Sequence, residues 1–148
     1  MTPLGKQIRL NRILAWQKRR VITVAVDHMI NYPVGFPEGL KDMGTTVQKI
    51  VAGGADALTM NKGAALRYMA PYAGQIPLII QSMALRPGEP EFADTATVEE
   101  VVRLGADAIA VAMFVYCKEE MRYIRHLSEV VREAAAFGLP VIPHIYPL

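Results

Sequence analysis

The tetrapeptide Gly-Ala-Asp-Ala occurs twice, at 54–57 and at 105–108, followed each time by an apolar residue, Leu58 or Ile109. In both places a stretch with helical spacing runs out on glycine and a strand-like stretch begins. Glycine takes the left-handed conformation that ends a helix, and the small residues let strand and helix approach closely. A junction used twice implies a repeated βα unit, and successive βα units lay their strands parallel.

Reading along the chain extends the pattern. Val21-Ile-Thr-Val-Ala-Val26 predicts a strand apolar on both faces, buried between layers. It ends in Asp27-His28 and a loop carrying Asn31, Pro33, Gly35, Pro37 and Gly39, so titratable groups stand at a strand's carboxyl end, where parallel sheets hold their chemistry. Val47, Ile50 and Val51 predict a helix over 45–52. Residues 55–60 form a second strand ending in Asn61-Lys62-Gly63, and a short helix from 64 to about 69 is broken by Pro71. The third strand, 76–80, ends in Gln81-Ser82. A loop rich in Pro, Gly and acids covers 84–95. Thr97-Val-Glu-Glu100 has the spacing of a capping box and opens a helix that Gly105 closes. Residues 106–113 are a fourth strand, 118–137 a long helix stopped at Gly138, and 141–146 a fifth strand.

A five-stranded doubly wound sheet and a TIM barrel both accept this order. Four of the five strands end in polar or titratable groups: Asp27-His28, Asn61-Lys62, Gln81-Ser82 and His144 with Tyr146. A barrel gathers every carboxyl end around one mouth, whereas a doubly wound sheet uses one switch point. No Gly-rich phosphate loop follows the first strand. The fifth strand, with Pro143 inside it, has no covering helix and would be an open edge. The expectation is therefore an α/β fold of the TIM (β/α)8-barrel type, carried as an incomplete barrel. Residues 1–148 read as one partial barrel domain, with an N-terminal amphipathic helix over 1–20 and strands one to five with their helices over 21–148.

Charge narrows the function classes. Of 16 Lys and Arg residues, six lie in residues 1–20 with no acid among them; the rest of the chain has ten basic against 14 acidic residues, a net of −4. Leu10, Ile13 and Leu14 give the basic segment one apolar stripe, which suits a helix laid against the bottom of the domain. No aromatic interleaving supports nucleic acid, and no apolar run approaches the roughly 20 residues of a membrane span. A single cysteine, Cys117, fits a reducing compartment and a cytoplasmic protein. His28, His126 and His144 stand at no metal-ligand interval, so neither a metal nor another cofactor is expected.

The ordered set of Val-Ala-Val-Asp27-His28, Gly-Gly-Ala-Asp-Ala leading to Asn61-Lys62-Gly63, Thr97-Val-Glu-Glu100 leading to Gly-Ala-Asp-Ala, and Gly-Leu-Pro-Val-Ile-Pro-His-Ile-Tyr146-Pro147 resembles the class I aldolases of the archaeal-type fructose-bisphosphate aldolase group. Relatives of that group include the aminodideoxyheptulosonate synthases and the autoinducer-2 aldolase/thiolase enzymes. The resemblance spans nearly the whole chain. One departure is Met29, where the group commonly has Gly after Asp-His.

The resemblance implies a carbon–carbon lyase, an aldolase of glycolysis and gluconeogenesis, that joins a lysine to a keto sugar phosphate such as fructose 1,6-bisphosphate as a Schiff base. It implies Asp27 and Tyr146 as catalytic residues in proton transfer, with that lysine on a sixth strand beyond residue 148; the 148 residues alone are then expected to be a fragment without activity. Position at strand ends makes His28, Asn61, Lys62, Gln81 and His144 candidate substrate-binding residues. Lys62 carries two further readings, an alternative amine nucleophile or a lysine paired with a nearby acid. A small-molecule sugar phosphate and a homo-oligomer are the expected partners. Two other functions stay open: a non-catalytic (βα)5 protein that binds sugar phosphate or oligomerises, and a transaldol-type synthase of aromatic amino-acid precursors.

Overall fold

The aspartate of each Gly-Ala-Asp-Ala latches one strand to the next. A computed structural model describes residues 3–14, 20–28, 35, 37–86, 89 and 91–148. In it Gly54 and Gly105 take φ of 72° and 80°, the left-handed helix stop that the sequence predicts. Just after each, the aspartate grips the chain twice. The Asp56 N–H donates to the Ile22 carbonyl at 2.8 Å, and its Oδ2 accepts the Ile22 N–H at 2.9 Å. Asp107 treats Leu78 in the same way, at 2.8 and 3.1 Å. Each pair fixes the register at which two parallel strands start.

The strands are β1 (Thr23–Ala25), β2 (Ala57–Asn61), β3 (Leu78–Gln81), β4 (Met83–Leu85), β5 (Phe92–Asp94), β6 (Ala108–Val115) and β7 (Val141–Pro147). Five of them form one parallel sheet in the order β1-β2-β3-β6-β7. That order never reverses, so the sheet has no switch point, and it is the order of consecutive strands in a barrel rather than a doubly wound sheet. Between strands run α2 (Met43–Ala52), α3 (Lys62–Tyr68), α4 (Val98–Arg103) and α5 (Glu120–Ala136), after a leading α1 (Leu4–Ile13).

Alternation along the strands sorts residues to two faces. Val26, Leu58, Met60, Leu78, Ile80, Ile109, Val111 and Met113 face the helices, where Val47, Val101, Tyr123 and Ala134 cover them. On the inner face, Ala57, Ile79, Ala108 and Ala110 are buried beneath Ile13 of α1. The leading helix is thus a floor, as its stripe predicts, although only Ile13 is buried, Leu10 is half-buried and Leu14 is exposed. Its arginines bind protein. Arg9 donates to the Phe137 and Gly138 carbonyls at the end of α5, and Arg12 pairs with Asp107 at 3.2 Å. Lys18 and Arg19 lie outside the described residues.

Two expectations need correction. The first strand is not buried on both faces: Thr23 and Ala25 are exposed and Val24 half-buried, because β1 has only β2 beside it among the described residues. The segment 84–95 is not all loop, since β4 and β5 pair antiparallel within 83–94. Its burial explains it. Met83 and Leu85 sink into the core, and the return strand is clamped to α5 by Arg122–Glu91 at 2.7 Å, by the Arg122 guanidinium 4.6 Å above the Phe92 ring, and by the His126 ring, whose centroid lies 4.9 Å from that of Phe92. The capping box forms as predicted, with Thr97 and Glu100 exchanging side-chain-to-backbone bonds. No helix of the described residues is long and apolar enough to cross a membrane.

Candidate active site

The sheet's register brings its polar strand ends to one rim. Thr59 pairs with Ala25 and Asn61 with Gln81, so Asp27, two residues beyond Ala25, stands level with both Asn61 and Gln81 on the inner face. Asp27 is buried at 4% exposure and Gln81 at 0%. On the other side, Ala112 pairs with His144 and Phe114 with Tyr146. The inner face of β6 is therefore Ala108, Ala110 and Ala112, and these small residues leave room for a side chain of β3 to reach β7 across them.

Gln81 takes that room. Its Oε1 accepts the Met83 N–H at 3.3 Å, its Nε2 donates to Asp27 Oδ2 at 3.3 Å, and the same nitrogen lies 3.1 Å from His144 Nδ1. One buried amide thus links the ends of β1 and β7. Burial holds the His144 imidazole below its ordinary pKa, partly offset by the Asp27 carboxylate and reinforced by His28. The physical cause is that a cation is costly to desolvate.

The other predicted residues sit less centrally. His28 Nδ1 is 3.7 Å from Asp27 Oδ1, too long for a hydrogen bond but close enough for an ion pair when the ring is protonated. Asn61 is half-buried beside Gln81. Tyr146 lies two residues past His144 on the same face, half exposed, with its ring 5.9 Å from that of Phe114. Lys62 does not join the row: its Nζ pairs with Glu100 Oε1 at 2.7 Å, the reading of a strand-end lysine met by an acid. That contact, together with the Thr97 backbone N–H, holds the Glu100 carboxyl below its usual range. The loop residues Met29, Asn31 and Pro33 lie outside the described residues.

Sequence reading missed the alanines of β6 and the Met83 N–H. Ala-Ile-Ala-Val-Ala-Met carries the signal for the former, since alternation with alanine at every second position marks a face kept empty. The latter had no signal. It depends on the tight step from β3 into β4, where Ser82 also donates to the Ala110 carbonyl through both N–H and Oγ, at 3.0 and 2.9 Å. Among the described residues no group of three or more His, Cys, Asp or Glu is placed to hold a metal ion.

The chain is similar to known proteins along nearly its whole length. The 2-amino-3,7-dideoxy-D-threo-hept-6-ulosonate synthase of Halobacterium salinarum is 36% identical over 149 residues, covering 99% of this chain and 54% of the relative. The class 1 fructose-bisphosphate aldolase of Thermoproteus tenax is 30% identical, covering 92% of this chain and 52% of its own. Among solved structures, an archaeal fructose-1,6-bisphosphate aldolase with its catalytic lysine bound to the carbinolamine intermediate superposes with a TM-score of 0.80 at 26% identity, over 97% of this chain and 58% of that one. The chain spans about half the length of the curated relatives it matches. Its five strands are a curled parallel half-barrel of the TIM-barrel aldolase type. With residues 21–147 matching the DeoC/LacD family aldolase, the chain belongs to that family.

Proposed function

We propose that these residues supply the Asp27 and Tyr146 part of a class I aldolase site that cleaves or forms a carbon–carbon bond in a keto sugar phosphate. The observation that carries the reading is the row Asp27–Gln81–His144, its first two members buried and His144 half-buried, at the carboxyl ends of parallel strands. In the reaction a lysine amine adds to the substrate ketone and loses water to give an iminium. The bond between the α and β carbons of the iminium then breaks with its electron pair drawn into an enamine, while the hydroxyl on the β carbon gives up its proton and becomes the product carbonyl. Asp27 is the acceptor for that hydroxyl proton. Tyr146, an O–H donor on the same face, returns a proton to the enamine carbon or the carbinolamine oxygen. The resemblance to the class I aldolases implies a Schiff-base lysine on a sixth strand outside the 148 residues; Lys62 itself is engaged by Glu100. Fructose 1,6-bisphosphate is the first candidate substrate. A transaldol-type synthase is the second reading, favoured by the 36% identity to the Halobacterium salinarum relative.

The test joins this chain to the second half of that relative. The chimera should form a borohydride-reducible adduct with a keto sugar phosphate, and Asp27→Asn should cut turnover by about 10²- to 10⁴-fold, the range of a general acid–base group. A folded chimera that forms no adduct with fructose 1,6-bisphosphate or dihydroxyacetone phosphate would defeat the proposal.

A further inference from the structure

The hydrogen-bond inventory of Gln81 is over-determined. An amide offers two N–H donors on nitrogen and an acceptor oxygen, and the two ends cannot be exchanged when their partners have fixed roles. The Met83 backbone N–H, 3.3 Å away, can only donate, so the oxygen must face it. Asp27 Oδ2, 3.3 Å from the other end, is an acceptor, so it requires the nitrogen. Two independent partners give the same orientation. The second hydrogen of that nitrogen then meets His144 Nδ1 at 3.1 Å, and this ring nitrogen must present a lone pair.

We infer that Gln81 fixes His144 as its neutral Nε2–H tautomer, so that Gln81 is a positioning residue and His144 a hydrogen-bond donor at the mouth of the half-barrel. A second proton on His144 would set N–H against N–H at a fully buried amide. The groups that face the ring are Asp27, which favours its protonation, and His28, which opposes it; from β6 the neighbour is Ala112, which carries no charge. Burial opposes the cation further. Nε2 makes no hydrogen bond among the described residues and is the one N–H the ring can offer a ligand.

The chemical consequence rests on the aldolase reading above. With its lone pair occupied by Gln81, His144 cannot act as a base. It can donate to a ligand oxygen, of carbonyl, hydroxyl or phosphate type, and proton acceptance is left to Asp27. A single amide thus divides the labour of donor and acceptor between the two ends of the row.

Long-range 1H–15N spectra of the uniformly 15N-labelled 148-residue chain, with His144→Asn to assign the ring, read the tautomer directly. The expected spectrum has a pyridine-type Nδ1 and a pyrrole-type Nε2, titrating below the free histidine side chain. Gln81→Glu keeps an acceptor for the Met83 N–H but turns an acceptor toward the ring. It should switch the proton to Nδ1 and raise proton affinity about tenfold or more, as a neighbouring carboxylate does. A pyrrole-type Nδ1 in the unaltered chain overturns the inference, as does a folded Gln81→Glu variant with an unchanged tautomer. Should that variant not fold, the spectrum of the unaltered chain decides alone. The outcome is separable from the aldolase proposal: a chimera without adduct but with the Nε2–H spectrum defeats only the function, and an active chimera with a pyrrole-type Nδ1 defeats only the tautomer.

Discussion

Asp107 holds Leu78 by both its backbone and its side chain, the N–H donating to the Leu78 carbonyl at 2.8 Å and Oδ2 accepting the Leu78 N–H at 3.1 Å. Asp107 and Leu78 are both buried, whereas Ile22, held in the same way by Asp56, is 64% exposed. Removing a partner from a buried N–H costs its desolvation, and an exposed N–H turns to water instead. Asp107→Ala should therefore destabilise by about 1–3 kcal/mol, and Asp56→Ala by visibly less. Urea unfolding midpoints compare the two; equal losses would show that the latch is not what Asp107 contributes.

Gly138 differs from the other helix-stopping glycines in what surrounds it. Its φ is 58°, and a Cβ there would lie 3.1 Å from the Lys6 nitrogen of α1, whereas a Cβ on Gly105 at φ 80° would meet nothing within 4 Å. Gly105→Ala should cost only the left-handed penalty, about 1–2 kcal/mol. Gly138→Ala adds a backbone clash with α1 and should cost more. Thermal unfolding of both variants tests the ranking, and a reversed order would mean that α1 is not seated against the end of α5.

The lowered pKa of His144 makes stability depend on pH with a definite sign. Its folded value lies below 6.5, so between the two values the unfolded chain binds more protons than the folded one, and stability rises with pH across that window. Acidifying from above pH 6.5 should lower the urea midpoint, and the loss from this group is complete once pH falls below the folded value. His144→Asn should flatten that part of the profile. An unchanged slope in the variant would assign the effect to other groups.

Lys62 is held at 2.7 Å by a carboxylate that also caps α4. An ammonium in an ion pair has no lone pair with which to attack a ketone. Borohydride reduction of the 148-residue chain with dihydroxyacetone phosphate should leave Lys62 unmodified by peptide mapping. A reduced adduct on Lys62 would show that the pair opens and that the chain carries its own nucleophile.

By itself the sequence determined the parallel βα order, the glycine stops, the capping box and the strand ends at which the polar residues stand, because these depend on local backbone preference and on periods of 3.6 and 2. It could place Asp27, Gln81 and His144 each at a carboxyl end without saying that they meet. Their meeting needed the register of five strands and the empty alanine face of β6, over which Gln81 reaches β7. Tertiary structure also chose among the readings left open for Lys62 and overturned the loop expected over 84–95. Lys62 was drawn to Glu100, 38 residues away. Residues 83–94 folded back as a hairpin because Met83 and Leu85 could be buried and α5 offered Arg122 and His126 to hold the return strand. Local chemistry chooses elements and their ends, whereas partners far apart in sequence are chosen by the geometry that burying those elements creates.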